Sequence, residues 1–219
     1  RFADMQKHWA STYTTPLNDK GIISGVTANG KTNFLPDQKI TRGDFALMTA
    51  NWLGLDLSRY AGVSLPYADA ASIPKWDENA VKALYAEGIM QGSKAGDGSL
   101  RANAKASITR AEAMTILGRI LPQGYPQASL TGFSDAASVP SWSKDYVATL
   151  VELKVVGGSN GKLDPNASVT RAEVAAILCR IMDADCAKAY YDTTSSYRDV
   201  ARGDWFNVYV ATLENAGVI

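Results

Sequence analysis

Three arginines stand where a helix does not want a positive charge. They are Arg42, Arg110 and Arg171, in the segments ITRGDFALMTANWL from Ile40, ITRAEAMTILGRIL from Ile108 and VTRAEVAAILCRIM from Val169. In each, a threonine with the features of an N-cap comes first: Thr41, Thr109 and Thr170. The arginine therefore falls in the first turn, against the positive end of the macrodipole, at a cost of about 0.3–1 kcal/mol. Thr-x-x-Glu is a capping box, so Thr109 with Glu112, and Thr170 with Glu173, are explained by helix initiation alone. The arginine is not. A guanidinium beside helix amides that remain free would give a carboxylate two parallel hydrogen bonds. The plainer alternatives are an ion pair with a neighbouring acid, or stacking on a tryptophan face. The chemistry these residues suggest is anion recognition.

A second set of residues recurs ahead of the first. FADMQKHW, YADAASIPKW, FSDAASVPSW and YRDVARGDW each open on an aromatic and an aspartate and end on a tryptophan. The aspartates are Asp4, Asp69, Asp135 and Asp199; the tryptophans are Trp9, Trp76, Trp142 and Trp205. A tryptophan at the start of an amphipathic helix is expected in the core, with its indole N–H free to face a groove. The aspartates are expected to cap the first helix or to hold the arginine in place.

Other chemistry is poorly supplied. His8 is the one histidine of 219 residues, so a histidine-dependent triad or a histidine-rich metal site has one candidate at most. A glycosidase would need two carboxylates about 5–10 Å apart, one with a raised pKa. The capping glutamates are already committed, and no catalytic role is expected. GKLDPNASV is too poor in acids for a calcium loop; no metal or cofactor is expected. Lys plus Arg equals Asp plus Glu at 22 each, which argues against a nucleic-acid partner or a polybasic membrane surface. No apolar run approaches the roughly 18 residues of a membrane span. Cys179 and Cys186 are seven apart, about 10 Å along a helix. A disulfide holds its Cα atoms within about 7 Å, so these two could pair only if the chain folds back. The chain opens on RFADM without a signal peptide, as a segment cut from a longer protein would.

The elements follow from periodicity. Four residues after each tryptophan stand Tyr13, Ala80, Tyr146 and Tyr209. Five after stand Thr14, Val81, Val147 and Val210, and eight after stand Leu17, Leu84, Leu150 and Leu213. These offsets mark one face of an amphipathic helix. Pro16 lies inside the first of them and predicts a kink, or a helix that begins there. Gly21, Gly88 and Gly217 fit left-handed C-terminal caps, and Lys154 must bear that conformation or find another cap. Loops with NG and DG steps follow, favouring tight turns, with Phe34, Leu100 and Leu163 expected as their anchors. The second helix of each copy carries an apolar stripe: Phe45, Met48, Thr49 and Trp52, then Ala113, Ile116, Leu117 and Ile120, then Val174, Ile177, Leu178 and Ile181. Three such stripes would most simply form a central three-helix bundle.

The unit repeats at 65, 66 and 64 residues between aspartates, giving copies at 1–60, 66–122 and 132–183 and a first half-copy at 197–219. The whole ordered pattern, aromatic-x-Asp, Trp, Gly-Ile-x-x-Gly, Phe-x-Pro-Asp, Ile-Thr-Arg-Ala-Glu, resembles the S-layer homology family. The resemblance implies an all-α, pseudo-threefold, three-pronged spindle around a central helical bundle. It implies a monomeric, extracellular module that anchors surface proteins non-covalently to the bacterial cell wall. Its partner would be a pyruvylated secondary cell-wall polysaccharide bound in grooves between the prongs. Carried onto this chain, the ligand residues are Arg42, Arg110 and Arg171, with Trp9, Trp76, Trp142, Asp4, Asp69 and Asp135 in the groove walls. Ser24 and Gln91 offer polar groups beside the turn glycines. A module for protein contacts or lattice formation is the alternative. This chain departs from the family at Gly43 and Asp44, which replace Ala and Glu, and at Ala102, which is aligned with Pro36 and Pro165. Lys154 and Gly157 depart in the third copy, so the grooves should not be equivalent.

Overall fold

A computed structural model describes residues 2–121, 124–183, 196–200 and 210. Its helices are α1 (Ser11–Asp19), α2 (Arg42–Trp52), α3 (Lys75–Ala86), α4 (Arg110–Ile120), α5 (Lys144–Glu152) and α6 (Arg171–Asp183). Two short antiparallel hairpins accompany them: β1 (Val26–Ala28) with β2 (Lys31–Asn33), and β3 (Ser93–Lys94) with β4 (Leu100–Arg101). The fold is mainly helical, as expected, with these hairpins added. Trp205, Tyr209, Leu213, Gly217 and Cys186 lie outside the described residues; Cys179 is buried on α6.

Local chemistry starts each helix where the sequence says. Thr109 Oγ1 accepts the Glu112 amide at 3.2 Å, and Glu112 Oε2 accepts the Thr109 amide at 3.0 Å. Thr170 and Glu173 repeat the pair at 3.2 and 2.9 Å. α2 has only half of it: Thr41 Oγ1 accepts from Asp44, whose carboxylate, one methylene shorter, makes no capping-box return. α1 runs through Pro16 and does not begin there. Lys154 takes the left-handed conformation at φ 57°, beside Gly21 at 70° and Gly88 at 72° in the equivalent places. Asn29 and Gly30, both at positive φ, join β1 to β2 in the two-residue turn that such a dipeptide favours.

The apolar stripes are buried as predicted: Phe45, Thr49, Val174 and Leu178 are fully enclosed, with Leu117 and Ala113 nearly so. Their partners come from other copies. α2 packs on α3, α4 on α5, and α6 on α1. Each second helix thus leans on the first helix of the following copy, and the third copy returns to the first. The strands of chain just before α2, α4 and α6 are joined in a closed cycle. Ile40 N–H donates to Val169 O at 3.0 Å, Val169 N–H to Ile108 O at 3.1 Å, and Ile108 N–H to Ile40 O at 3.1 Å. All three side chains are buried.

One register needs correction. The amides of Ala172, Gly43 and Ala111 donate to the carbonyls of Pro36, Ala104 and Pro165. Ala104, not Ala102, is therefore the counterpart of the two prolines. Ala102 is the counterpart of Phe34 and Leu163, and is the buried loop anchor of its copy, while Leu100 lies half-buried in β4. The loops differ in length, so counting across them slips by two residues.

Candidate functional site

The three arginines occupy matching positions between copies. Arg42 Nε donates to Ala102 O at 3.1 Å, Arg110 Nε to Leu163 O at 2.9 Å, and Arg171 Nε to Phe34 O at 2.9 Å. Each thus reaches the loop of the following copy. Each also faces the capping acid of that copy. Arg42 Nη1 is 2.9 Å from Glu112 Oε2, Arg110 Nη1 is 3.6 Å from Glu173 Oε2, and Arg171 Nη1 is 3.9 Å from Asp44 Oδ2. The ion-pair alternative read from the sequence is therefore realised across the copy boundary, where it offsets the unfavourable dipole. Stacking is realised on phenylalanine: the Arg171 guanidinium lies 4.8 Å from the Phe34 ring centroid. Burial pulls the Arg171 pKa down from its usual value, and the charge of Asp44 opposes that shift.

The helix-start amides are not free, contrary to expectation. Arg42, Arg110 and Arg171 donate their own amides, each at 2.9 Å, to Ala106, Ala167 and Gln38. The next amides go to Ala104, Pro165 and Pro36, and the third to the cap threonines. The following copy's loop satisfies what the helix leaves open. Any anion held here is held by side chains.

The aspartates neither cap the first helix nor touch an arginine. They clamp the loop dipeptide that the arginine holds from its carbonyl side. Asp4 accepts from Phe34 and Leu35 at 2.8 and 2.7 Å. Asp69 accepts from Ala102 and Asn103, at 2.8 and 2.9 Å. Asp135 accepts from Leu163 and Asp164, at 2.9 and 2.8 Å. Leu35, Asn103 and Asp164 all sit at positive φ, between 48° and 60°. The carboxylates hold a conformation that L-residues resist. The Leu163 amide, followed by the Asp164 amide, holds the Asp135 carboxyl below its ordinary pKa.

The tryptophans are not core. Trp9, Trp76 and Trp142 are 55%, 69% and 54% exposed. Trp9 and Trp142 precede α1 and α5, so helical periodicity does not govern them. Trp9 and Trp142 each stand in a cleft made by the other two copies. A cleft of about 220 Å³ is lined by Arg42, Gln91, Glu112, Arg119 and Trp142. A larger one, about 380 Å³, is lined by Arg110, Gly157, Lys162, Glu173, Arg180 and Trp9. In the third position Trp76 Nε1 donates to Asp44 Oδ1 at 3.2 Å, and Arg171 Nη2 donates to Ser24 O at 3.3 Å. Arg42, Arg110, Gln91, Trp9 and Trp142 thus line the two clefts, Asp4, Asp69 and Asp135 each clamp a loop, and Arg171, Trp76 and Ser24 meet at the third position. Arg119, Arg180 and Lys162 were missed. A constant spacing of nine from Arg110 and from Arg171 to Arg119 and Arg180 was the available signal.

Gly43 and Asp77 belong together. A Cβ at position 43 would lie 2.5 Å from Asp77 Oδ2. Asp77 follows Trp76 and is fully buried, where the other copies have Ala10 and Ser143. Neither Asp77 oxygen meets a donor among the described residues. Burial first, then the charge of Asp44, push its pKa up to about 7. His8, the sole histidine, donates from Nε2 to Asp37 at 3.1 Å and accepts the Ala10 amide on Nδ1 at 3.2 Å. Among the described residues no cluster of His, Cys, Asp or Glu is suited to a metal, and no helix is long and apolar enough to cross a membrane.

The S-layer homology domain model matches residues 1–46, 66–114 and 132–175. The chain belongs to the S-layer homology domain family. Its relatives include the surface-layer 125 kDa protein of Lysinibacillus sphaericus, 32% identical over 80% of this chain and 14% of that protein. The S-layer protein sap of Bacillus anthracis is 27% identical over 79% of this chain and 20% of its own length. The amylopullulanase of Thermoanaerobacterium thermosulfurigenes is 32% identical over 83% of this chain and 9% of its own length. The chain thus spans a small part of each of these relatives. S-layer homology repeats are cell-wall anchoring modules, and this chain is a cell-surface, cell-wall-associated one. Some relatives are enzymes, and their shared segment is the anchoring one.

Proposed function

We propose that this chain anchors its parent protein by binding an acidic, ketal-pyruvylated secondary cell-wall polysaccharide in the grooves between its repeats. The observation that carries this is the cleft of about 380 Å³ in which Arg110, Glu173 and Trp9 meet, one from each copy. That volume suits a small ligand site of about 300–1,000 Å³. Among the described residues the Arg110 Nη atoms make no hydrogen bond, its nearest carboxylate standing 3.6 Å away. A ketal carboxylate can take both N–H groups of that edge, while the exposed Trp9 indole offers a flat apolar face to a pyranose ring. The clamping aspartates and Ser24 and Gln91 set the groove walls. The whole is a monomeric pseudo-trimer, a three-pronged spindle about α2, α4 and α6; the closed hydrogen-bond cycle and the return of α6 to α1 support that shape. The repeats are taken as 1–60, 66–122 and 132–183, with 197–219 the first half of a fourth.

Calorimetric titration with purified pyruvylated wall polymer tests the reading, with Arg110→Ala as the variant. Loss of binding in a folded variant is expected. Undiminished binding, or equal binding to polymer stripped of pyruvate, overturns it. Retention on walls freed of the polymer would instead favour the protein-contact alternative.

A further inference from the structure

The three grooves of the chain fall into two kinds. In two of them a second guanidinium is present. Arg119 lies over the Tyr146 ring at 5.9 Å and its Nη1 reaches Ile89 O at 3.5 Å. Arg180 lies over the Tyr13 ring at 5.3 Å and its Nη2 reaches Tyr13 Oη at 3.4 Å. The two arginines stand nine residues after Arg110 and Arg171; nine after Arg42 stands Asn51. Tyr146 and Tyr13 stand four residues after their tryptophans; four after Trp76 stands Ala80, fully buried. Arginine and tyrosine are thus present together twice and absent together once. Stacking on a ring restrains a long side chain before any ligand arrives, and leaves the guanidinium edge to donate. Arg119 shares its cleft with Arg42 and Trp142, and Arg180 shares its cleft with Arg110 and Trp9.

The remaining groove has consumed its own recognition groups. Asp44 is too short to close a capping box and instead accepts the Trp76 indole N–H. The same carboxylate faces Arg171 at 3.9 Å. Arg171 spends Nε on Phe34 O and Nη2 on Ser24 O. Tryptophan, carboxylate, arginine and loop carbonyl form one internal chain, and this groove alone ties up its tryptophan N–H and has no second arginine among the described residues.

We propose that the chain has two glycan-competent grooves, each offering a ring-stacked second arginine, Arg119 in the cleft of Trp142 and Arg180 in the cleft of Arg110 and Trp9, while the Trp76–Asp44–Arg171 groove is self-occupied and takes none. The inference rests on the glycan-binding reading above. In the larger cleft Arg110 holds the acidic group and Arg180 an acidic or hydroxyl oxygen of the same or the adjoining sugar; in the smaller, where Arg42 is buried with its Nη1 held by Glu112 at 2.9 Å, Arg119 holds the acidic group; in both the tryptophan stacks on the ring. Titrating the whole chain with short pyruvylated wall oligosaccharide should give two sites. Arg119→Ala and Arg180→Ala should each silence one site or weaken it by about 10- to 150-fold, as expected for loss of a charge-assisted hydrogen bond. Arg119→Lys and Arg180→Lys, which keep the charge but not the planar fork, should restore only part. Arg171→Ala, checked by circular dichroism for folding, should leave the count at two. Three sites, or two sites indifferent to both Arg→Ala changes while Arg110→Ala still abolishes one, would overturn this inference and leave the glycan reading standing. No binding by the unaltered chain would remove both.

Discussion

Asp77→Ser should make the protein more stable at pH 8 and remove a pH dependence that the unaltered chain shows. Asp77 is fully buried without a donor, beside Asp44, and its pKa is pushed up from 3.8 to about 7. Between pH about 4 and about 7 the native state keeps a proton that the unfolded chain has released. Stability therefore falls as pH rises through that window, and is lowest once Asp77 is ionised. A shift of about three units corresponds to at most about 4 kcal/mol; sharing of charge with Asp44 and relaxation of the site bring the expected effect to about 1–3 kcal/mol. Serine suits the place: in the third copy Ser143 Oγ donates to Pro140 O at 3.0 Å, and Pro74 occupies the matching position here. Urea unfolding followed by circular dichroism at pH 5 and pH 8 gives the four free energies. The expected result is a smaller loss from pH 5 to pH 8 in the variant, and a gain of about 1–3 kcal/mol over the unaltered chain at pH 8. Parallel pH profiles, or a variant weaker at pH 8, would refute the assignment of a strained carboxyl at this position.

Gly43→Ala alone should destabilise by about 1–3 kcal/mol, because the new Cβ meets Asp77 Oδ2 at 2.5 Å. Joined to Asp77→Ser it recreates the Ala111–Ser143 arrangement and should recover most of that loss in a double-mutant cycle of thermal unfolding. Lys154→Gly should raise stability by about 1 kcal/mol, since φ 57° is costly for lysine and not for glycine; an unchanged midpoint in urea would contradict it. Asp135→Ala should cost about 2 kcal/mol, chiefly through the buried Leu163 amide it leaves without an acceptor. Because hydrogen bonds hold the Asp135 pKa down, its contribution is present above the ordinary aspartate range and lost as pH falls through its folded value. The difference between Asp135→Ala and the unaltered chain should therefore shrink in acid.

What could be read from the sequence was what neighbouring residues decide among themselves. Thr109 and Glu112 meet within one helical turn, so their capping box needs no knowledge of the fold. The same is true of the Asn29–Gly30 turn and of the left-handed Lys154. The apolar stripes were legible because every helix repeats them. Which copy meets which was not. Arg42 finds Glu112 seventy residues on, and Arg171 finds Phe34 at the far end of the chain. No local rule joins α6 to α1. The helix-start amides looked free for the same reason, since the carbonyls that take them belong to another copy. A tryptophan at the start of an amphipathic helix is expected in the core, yet Trp9 and Trp142 precede α1 and α5, and Trp76, inside α3, is exposed as well. Gly43 stands in the sequence only as a departure from the family pattern, because Asp77, which fills the space of its missing methyl group, belongs to the next copy.

The return of α6 to α1 has a consequence for how such modules gain or lose strength. In an open stack of repeats, each added copy brings one more face, and avidity grows by steps. Here every groove is assembled from three copies, with an arginine from one, a loop and acid from the next, and a tryptophan from the last. Deleting any one copy removes a wall from both clefts together, and the Ile40, Ile108 and Val169 cycle is already closed by three hydrogen bonds. On the proposed reading, valence in this module is adjusted by substitution within a groove, as at Asp44, and not by counting repeats.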